Sequence, residues 1–208
     1  MKNLILPAIL ASCFTLTANA NDKIVYDYLQ FGYIHSAGER TSDKKGINID
    51  ISASWTDSVY LHTTYNEQSA DVWALGISSD VTSRKYTLSL GWHTPFNRTT
   101  DFFAELGYLK QDAENIIPQT TFGNDEDGYF TELGIRGRFS ADWEYSIFVG
   151  YKDFELSSYA DVNNHEDLED TTYGFEARYY LSKRSSIGLT LSQETTGETS
   201  LLSYRYNL

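Results

Sequence analysis

One cysteine, Cys13, is all that 208 residues supply, and it lies within the first twenty. Cleavage after Ala20 leaves a mature chain without cysteine, which excludes a disulfide framework and suits an oxidising compartment. Proline is nearly as scarce, with 3 in the chain, so little interrupts extended backbone. Lys and Arg number 16 against 29 Asp and Glu, a formal net charge of -13. That balance argues against nucleic acid as a partner, since a phosphate backbone requires a basic face. From Asn21 onward no window is long and apolar enough for a spanning helix.

What the chain does have begins with a leader. Met1, Lys2 and Asn3 give a basic start, an apolar stretch follows, and Ala18-Asn19-Ala20 supplies a small-x-small cleavage site. These features predict a cleaved signal peptide over 1–20 and a single mature domain over 21–208. Leu10-Ala11-Ser12-Cys13 also looks like a lipobox, in which Cys13 is lipidated. The apolar stretch before Cys13 is very short for that, and apolar residues continue beyond it.

The mature region is rich in aromatics, with 16 Tyr in the chain, as extended strands prefer. Its dominant pattern is period-two alternation. In 46–56, Ile47, Ile49, Ile51, Ala53 and Trp55 share one face, while Asn48, Asp50, Ser52, Ser54 and Thr56 share the other. The pattern recurs in about ten segments, each near the length of a membrane-crossing strand. The first is placed at 24–35, where Asp27 falls on the apolar parity and suggests a bulge or a membrane boundary. Short turns are expected after Thr56, Thr94, Phe139 and Leu181. Long polar loops are expected near 36–45, 67–84, 111–127 and 155–170. Short turns at one rim and long loops at the other point to an all-β, antiparallel up-and-down transmembrane β-barrel of about ten strands, with eight or twelve as alternatives.

Aromatic placement orients this barrel. Trp55, Trp92 and Trp143 lie near the short turns. Tyr33, Tyr65, Tyr86, Tyr108, Tyr129, Tyr151 and Tyr173 lie near the long loops. All are on the apolar parity with aliphatic residues between them, as two interfacial girdles around a hydrocarbon core would be. The opposite parity then fills the lumen with an ionic cluster of Glu105, Glu132, Arg136, Arg138, Lys152, Glu176, Arg178 and Arg205. Opposite charges can pair across so narrow an interior, and side chains should plug most of it.

From these residues the chain resembles a small outer-membrane β-barrel protein of Gram-negative bacteria, similar to generic porin-like barrel domains. Tyr86-Thr-Leu-Ser-Leu-Gly-Trp-His-Thr-Pro95 followed by Asp101-Phe-Phe-Ala-Glu-Leu-Gly-Tyr108 carries part of the likeness. The resemblance implies localisation in the bacterial outer membrane, with lipid and lipopolysaccharide as surroundings. It also implies an assembly signal, read by the barrel-assembly machinery, in Leu202, Tyr204, Tyr206 and Leu208. Leu208 stands where such proteins usually end in Phe or Trp.

Tests for chemistry find no convincing constellation. His35-Ser36 lacks the surroundings of lipid A deacylases, and His62 and His93 are expected in the lumen. His165 lies in an acidic loop with no nucleophile in evidence. Acidic runs at 124–128 and 165–170 lack the spacing of a calcium loop, although divalent cations bridging them to lipopolysaccharide are a milder reading. Val72-Trp73-Ala74-Leu75-Gly76-Ile77 is apolar inside an expected loop and suggests a strand extension or a docking patch. The expectation is therefore a monomeric, non-enzymatic barrel without catalytic residues, metal or cofactor. Its lumen is plugged, its loops are acidic, and its role is structural or in surface interaction. A narrow solute channel and a rim enzyme acting on lipid A are the alternatives.

Overall fold

The computed structural model describes residues 24–38, 43–74, 77–117, 120–158, 165–195 and 197–208. The expected signal peptide and Cys13 lie outside the described residues, as do Leu75 and Gly76 and the acidic side chains at 124–126 and 165–168.

Ten strands follow one another: β1 (Tyr28–Gly38), β2 (Lys44–Ser54), β3 (Val59–Ala74), β4 (Ile77–Pro95), β5 (Thr100–Ile117), β6 (Thr120–Arg138), β7 (Trp143–Ser158), β8 (His165–Tyr180), β9 (Ser185–Glu194) and β10 (Gly197–Asn207). Each pairs antiparallel with the next, and β10 closes on β1 with Asn207 opposite Tyr28 and Gly197 opposite Gly38. The barrel has ten strands, not eight or twelve, and closure leaves no edge unpaired.

One device makes all four short turns. At 55–58, 96–99, 139–142 and 181–184 the second residue is Thr56, Asn97, Ser140 or Ser182, and its side-chain oxygen accepts a backbone N–H two residues on. The first residue of each turn donates its N–H to the carbonyl four residues later, as in Trp55 to Val59 at 2.7 Å and Leu181 to Ser185 at 2.8 Å. A short polar side chain that mimics a backbone turn is the reason for Ser, Thr or Asn at each of these positions.

The other rim differs from the sequence expectation. The segments 67–84 and 111–127 are not loops. Glu67 pairs with Arg84, and the ladder continues to Ala74 opposite Ile77. Gln111 pairs with Glu126, and that ladder continues to Ile117 opposite Thr120. Of the apolar segment, Val72, Trp73 and Ala74 end β3 and Ile77 begins β4. The asymmetry lies in strand length instead. β4 has 19 residues, where a tilted crossing needs about 9–11. Beyond the tyrosine belt the outward face is no longer apolar, so alternation fades while the hydrogen-bond ladder persists and Ser79 and Ser83 stay buried on the inner face.

The start of β1 is also corrected. It begins at Tyr28, so Asp27 is no misfit on a strand face. Its carboxylate accepts the Ser54 N–H at 2.5 Å and its carbonyl accepts the Leu208 N–H at 3.0 Å, tying both chain ends to the short-turn rim. Ahead of it, Ile24 and Tyr26 pack inward against Tyr60.

Candidate functional site

The side chains that alternation turns inward make the only extensive polar interior among the described residues. In the short-turn half it centres on Glu144, just 2% exposed. Register explains the position: Glu144 on β7 stands opposite Arg138 on β6 and Arg178 on β8. Arg136 donates Nε–H to Glu144 Oε1 at 2.7 Å, Tyr180 donates its hydroxyl to Oε2 at 2.7 Å, and Arg205 Nη1 lies 3.4 Å away. Arg178, with no exposed surface, donates to Glu176, to Gln30 at 2.7 Å and to Ser186 at 3.2 Å. Tyrosine rings fill the remaining space, with the Arg205 guanidinium 4.0 Å from the Tyr28 ring centre and that of Arg138 4.2 Å from Tyr180. Tyr26 stacks on His93 at 3.9 Å and closes the rim.

Of the expected ionic cluster, this network brings together Arg136, Arg138, Glu176, Arg178 and Arg205. Glu105 belongs to a second group at mid-barrel. It accepts the Tyr60 hydroxyl at 2.8 Å and the Ser89 hydroxyl at 2.9 Å, and its other neighbour is His62 Nδ1 at 3.0 Å. The second nitrogen of His62 faces Asp50 at 2.7 Å. With a carboxylate at each ring nitrogen, His62 offers neither to a substrate. His93 pairs with Asp101 at 3.2 Å. The Ser36 hydroxyl is bonded to Thr199 at 2.9 Å, and His35 faces Asp43 at 3.7 Å. Among the described residues there is no group of three or more His, Cys, Asp or Glu that could hold a metal ion.

Towards the hairpin rim the lumen opens into a cavity of about 180 Å³. Lys152 is ion-paired with Glu194 on its wall, and Glu132 lies at its base.

Sequence reasoning placed the charged residues on the right parity but did not single out Glu144, Gln30 or Glu194. The alternation of Trp143-Glu144-Tyr145 marks Glu144 as inward, and that signal was sufficient. Aromatics on the lumen parity were missed as well: Tyr60, Phe103, Phe130 and Phe148. Each lies opposite a glycine of the neighbouring strand, respectively Gly91, Gly134, Gly107 and Gly174. The ring covers the glycine so closely that an added Cβ would meet it at 2.0–2.6 Å. This cross-strand covering of glycine is a known way to fill and curve a sheet.

The outer surface carries the apolar parity. Leu88 and Leu106 are 60% and 61% exposed. Trp55, Trp92 and Trp143 ring the short-turn side, with Trp143 and Tyr179 rings 5.2 Å apart. Tyr33, Tyr86, Tyr108, Tyr129, Tyr151 and Tyr173 are exposed on the hairpin side, with Tyr65 partly covered by Tyr86 at 5.0 Å. Trp92 lies six positions after Tyr86 on β4, or about 20 Å of strand before tilt. Leu202, Tyr204, Tyr206 and Leu208 point outward on β10, and Ser203, Arg205 and Asn207 inward.

No family model matches the chain. No curated protein matches it. Among solved structures it is similar to the outer membrane protein OprG from Pseudomonas aeruginosa, with 11% identity, 91% of this chain and 99% of that one covered, and a TM-score of 0.50. Neisserial surface protein A matches at 9% identity, covering 87% of this chain and 96% of its own, with a TM-score of 0.48. Ail, the attachment invasion locus protein of Yersinia pestis, matches at 10% identity, covering 86% and 97%, with a TM-score of 0.43. The fold is that of the small outer-membrane β-barrels.

Proposed function

We propose that this chain is an integral protein of the bacterial outer membrane, closed across its short-turn half, with a structural or surface-interaction role. One observation carries the reading: a closed barrel turns a band of Leu, Ile and Val outward between two aromatic belts, which is unfavourable in water and favourable in lipid. In that setting the short turns face the periplasm and the extended hairpins the exterior. Leu202, Tyr204, Tyr206 and Leu208 then serve as the assembly signal. Lipopolysaccharide surrounds the outer leaflet, where divalent cations can bridge its phosphates to acidic hairpins.

Fractionation with heat-modifiable gel mobility tests the location; the folded protein is expected in the envelope, with a mobility shift on boiling. Leu106→Arg should destabilise the lipid-inserted barrel by about 2–4 kcal/mol, as a charge near the bilayer midplane does. Release by osmotic shock without detergent would falsify the reading.

The Glu144 network and the Tyr26–His93 stack support closure against a solute channel. Planar-bilayer recordings should show no steady conductance, and a stable open level would favour the channel instead. The enclosure of His62 between Asp50 and Glu105 supports a non-enzymatic role; unchanged lipid A mass spectra on overexpression are expected.

A further inference from the structure

The lumen glycines distinguish one place from all the others. A Cβ added at Gly91, Gly107, Gly134 or Gly174 would strike the ring that lies over it. At Gly188 it would meet the Arg178 guanidinium at 2.6 Å. At Gly150 it would meet nothing closer than 3.4 Å, which is ordinary contact. No side chain covers Gly150, and the cavity of about 180 Å³ lies there. A single water occupies roughly 10–15 Å³ in this measure, so the space admits a small organic molecule.

What flanks Gly150 is unsatisfied. Its register partners are Glu132 on β6 and Thr172 on β8, so a carboxylate, a bare glycine and a hydroxyl form one row across three strands. Thr172 is 8% exposed, lines the cavity, and its Oγ1 has no hydrogen-bond partner. Glu132 lines the same cavity, and among the described residues its favourable neighbours, His62 and Lys152, act on it through charge alone and not through a hydrogen bond. Three cations line the wall, and each has an anion of its own: Lys152 is ion-paired with Glu194, Lys85 lies in the field of the same Glu194, and His62 lies between Asp50 and Glu105. A half-buried carboxyl group without a hydrogen-bond donor beside an orphaned hydroxyl is a costly arrangement, which a ligand carrying N–H donors and positive charge would relieve. Leu109 and Phe130 supply an apolar wall on the same cavity.

We infer that the uncovered row Glu132–Gly150–Thr172 is a binding site for a small primary alkylammonium. The ammonium donates to the Glu132 carboxylate and the Thr172 hydroxyl, and the alkyl chain lies against Leu109 and Phe130. The short-turn half beneath is packed, so the site is a blind pocket entered from the hairpin rim. The inference concerns the lumen alone and stands whichever solvent surrounds the outer wall.

The test is an NMR titration of the full barrel in detergent, with n-butylammonium as probe and n-butanol as its neutral counterpart. Saturable shifts centred on the Gly150 and Thr172 amides are expected with butylammonium, and at least tenfold weaker binding with butanol. Glu132→Gln should weaken butylammonium at least tenfold, and Gly150→Val, whose methyls enter the cavity, should abolish the shifts. Heat-modifiable mobility verifies folding of both variants; if either fails to fold, the butylammonium–butanol comparison on the unaltered protein decides alone. Equal binding of the two probes, no saturable shift, or undiminished binding to Glu132→Gln overturns the inference.

Discussion

In the short-turn half of the lumen, Gly174 lies under the Phe148 ring and Glu144 is enclosed by Arg136, Arg205 and Tyr180. In the hairpin half, no ring covers Gly150, which lies between Glu132 and a Thr172 hydroxyl that has no hydrogen-bond partner. Both halves are built on the same inward parity of neighbouring strands. The difference shows that alternation decides which residues enter a barrel, while cross-strand register decides whether they fill it. A glycine opposite an aromatic produces packing; a glycine between polar residues produces a space.

The largest effect should come from opening the packed half. Glu144→Gln leaves the buried Arg136 and Arg205 guanidiniums without their shared anion. Removing one partner of a buried ion pair costs about 3–5 kcal/mol, because the remaining charge is desolvated and uncompensated. Urea unfolding from lipid vesicles measures it. A loss under about 1 kcal/mol would mean that water already reaches this network, and the contrast between the halves would fall.

A gentler comparison uses the glycines themselves. Gly174→Ala puts a methyl where the nearest Phe148 ring atom is 2.0 Å away, and overpacking of this kind typically costs about 1–3 kcal/mol. Gly150→Ala adds the same methyl at ordinary contact distance, so its effect should lie within about 0.5 kcal/mol of zero or be slightly stabilising. Equal losses at both positions would show that backbone freedom, not cover by a ring, sets the outcome.

These contrasts mark how far the sequence could be read. Ile47 to Trp55 announced a two-faced strand, and the Trp and Tyr positions oriented it, because one strand's alternation is a local property. Hairpin length was less legible. Along Ser78-Ser79-Asp80-Val81-Thr82-Ser83 no face is consistently apolar, since even the buried inward positions Ser79 and Ser83 are polar, and such a strand reads as a loop although its ladder is complete. The cover of Gly174 by Phe148 could not be read either. It depends on the register of β7 against β8, which no single strand encodes. Glu144 was legible, since Trp143-Glu144-Tyr145 turns its side chain inward, but its place at the centre of the network depends on register with Arg138 and Arg178.

The smallest expected effect lies beyond the tyrosine belt, on the outward face of the hairpin wall. Tyr65 donates its hydroxyl to Glu67 Oε2 at 2.6 Å and Arg84 donates Nε–H to the same oxygen at 3.1 Å. The Tyr65 hydrogen bond, followed by that of Arg84, holds the Glu67 carboxyl below its ordinary value of 4.5. A carboxyl depressed in the folded state contributes stability above its unfolded pKa and loses it as pH falls through the folded value. The native barrel and Glu67→Gln should therefore differ slightly at neutral pH and converge as the pH falls below about 4. Urea midpoints at a series of pH values measure the convergence. Because both groups are solvated and screened, added salt should shrink the difference further. A gap that persists unchanged into acid would assign the effect to packing of the Glu67 side chain, and would place the hairpin wall nearer in character to the enclosed lumen than its exposure implies.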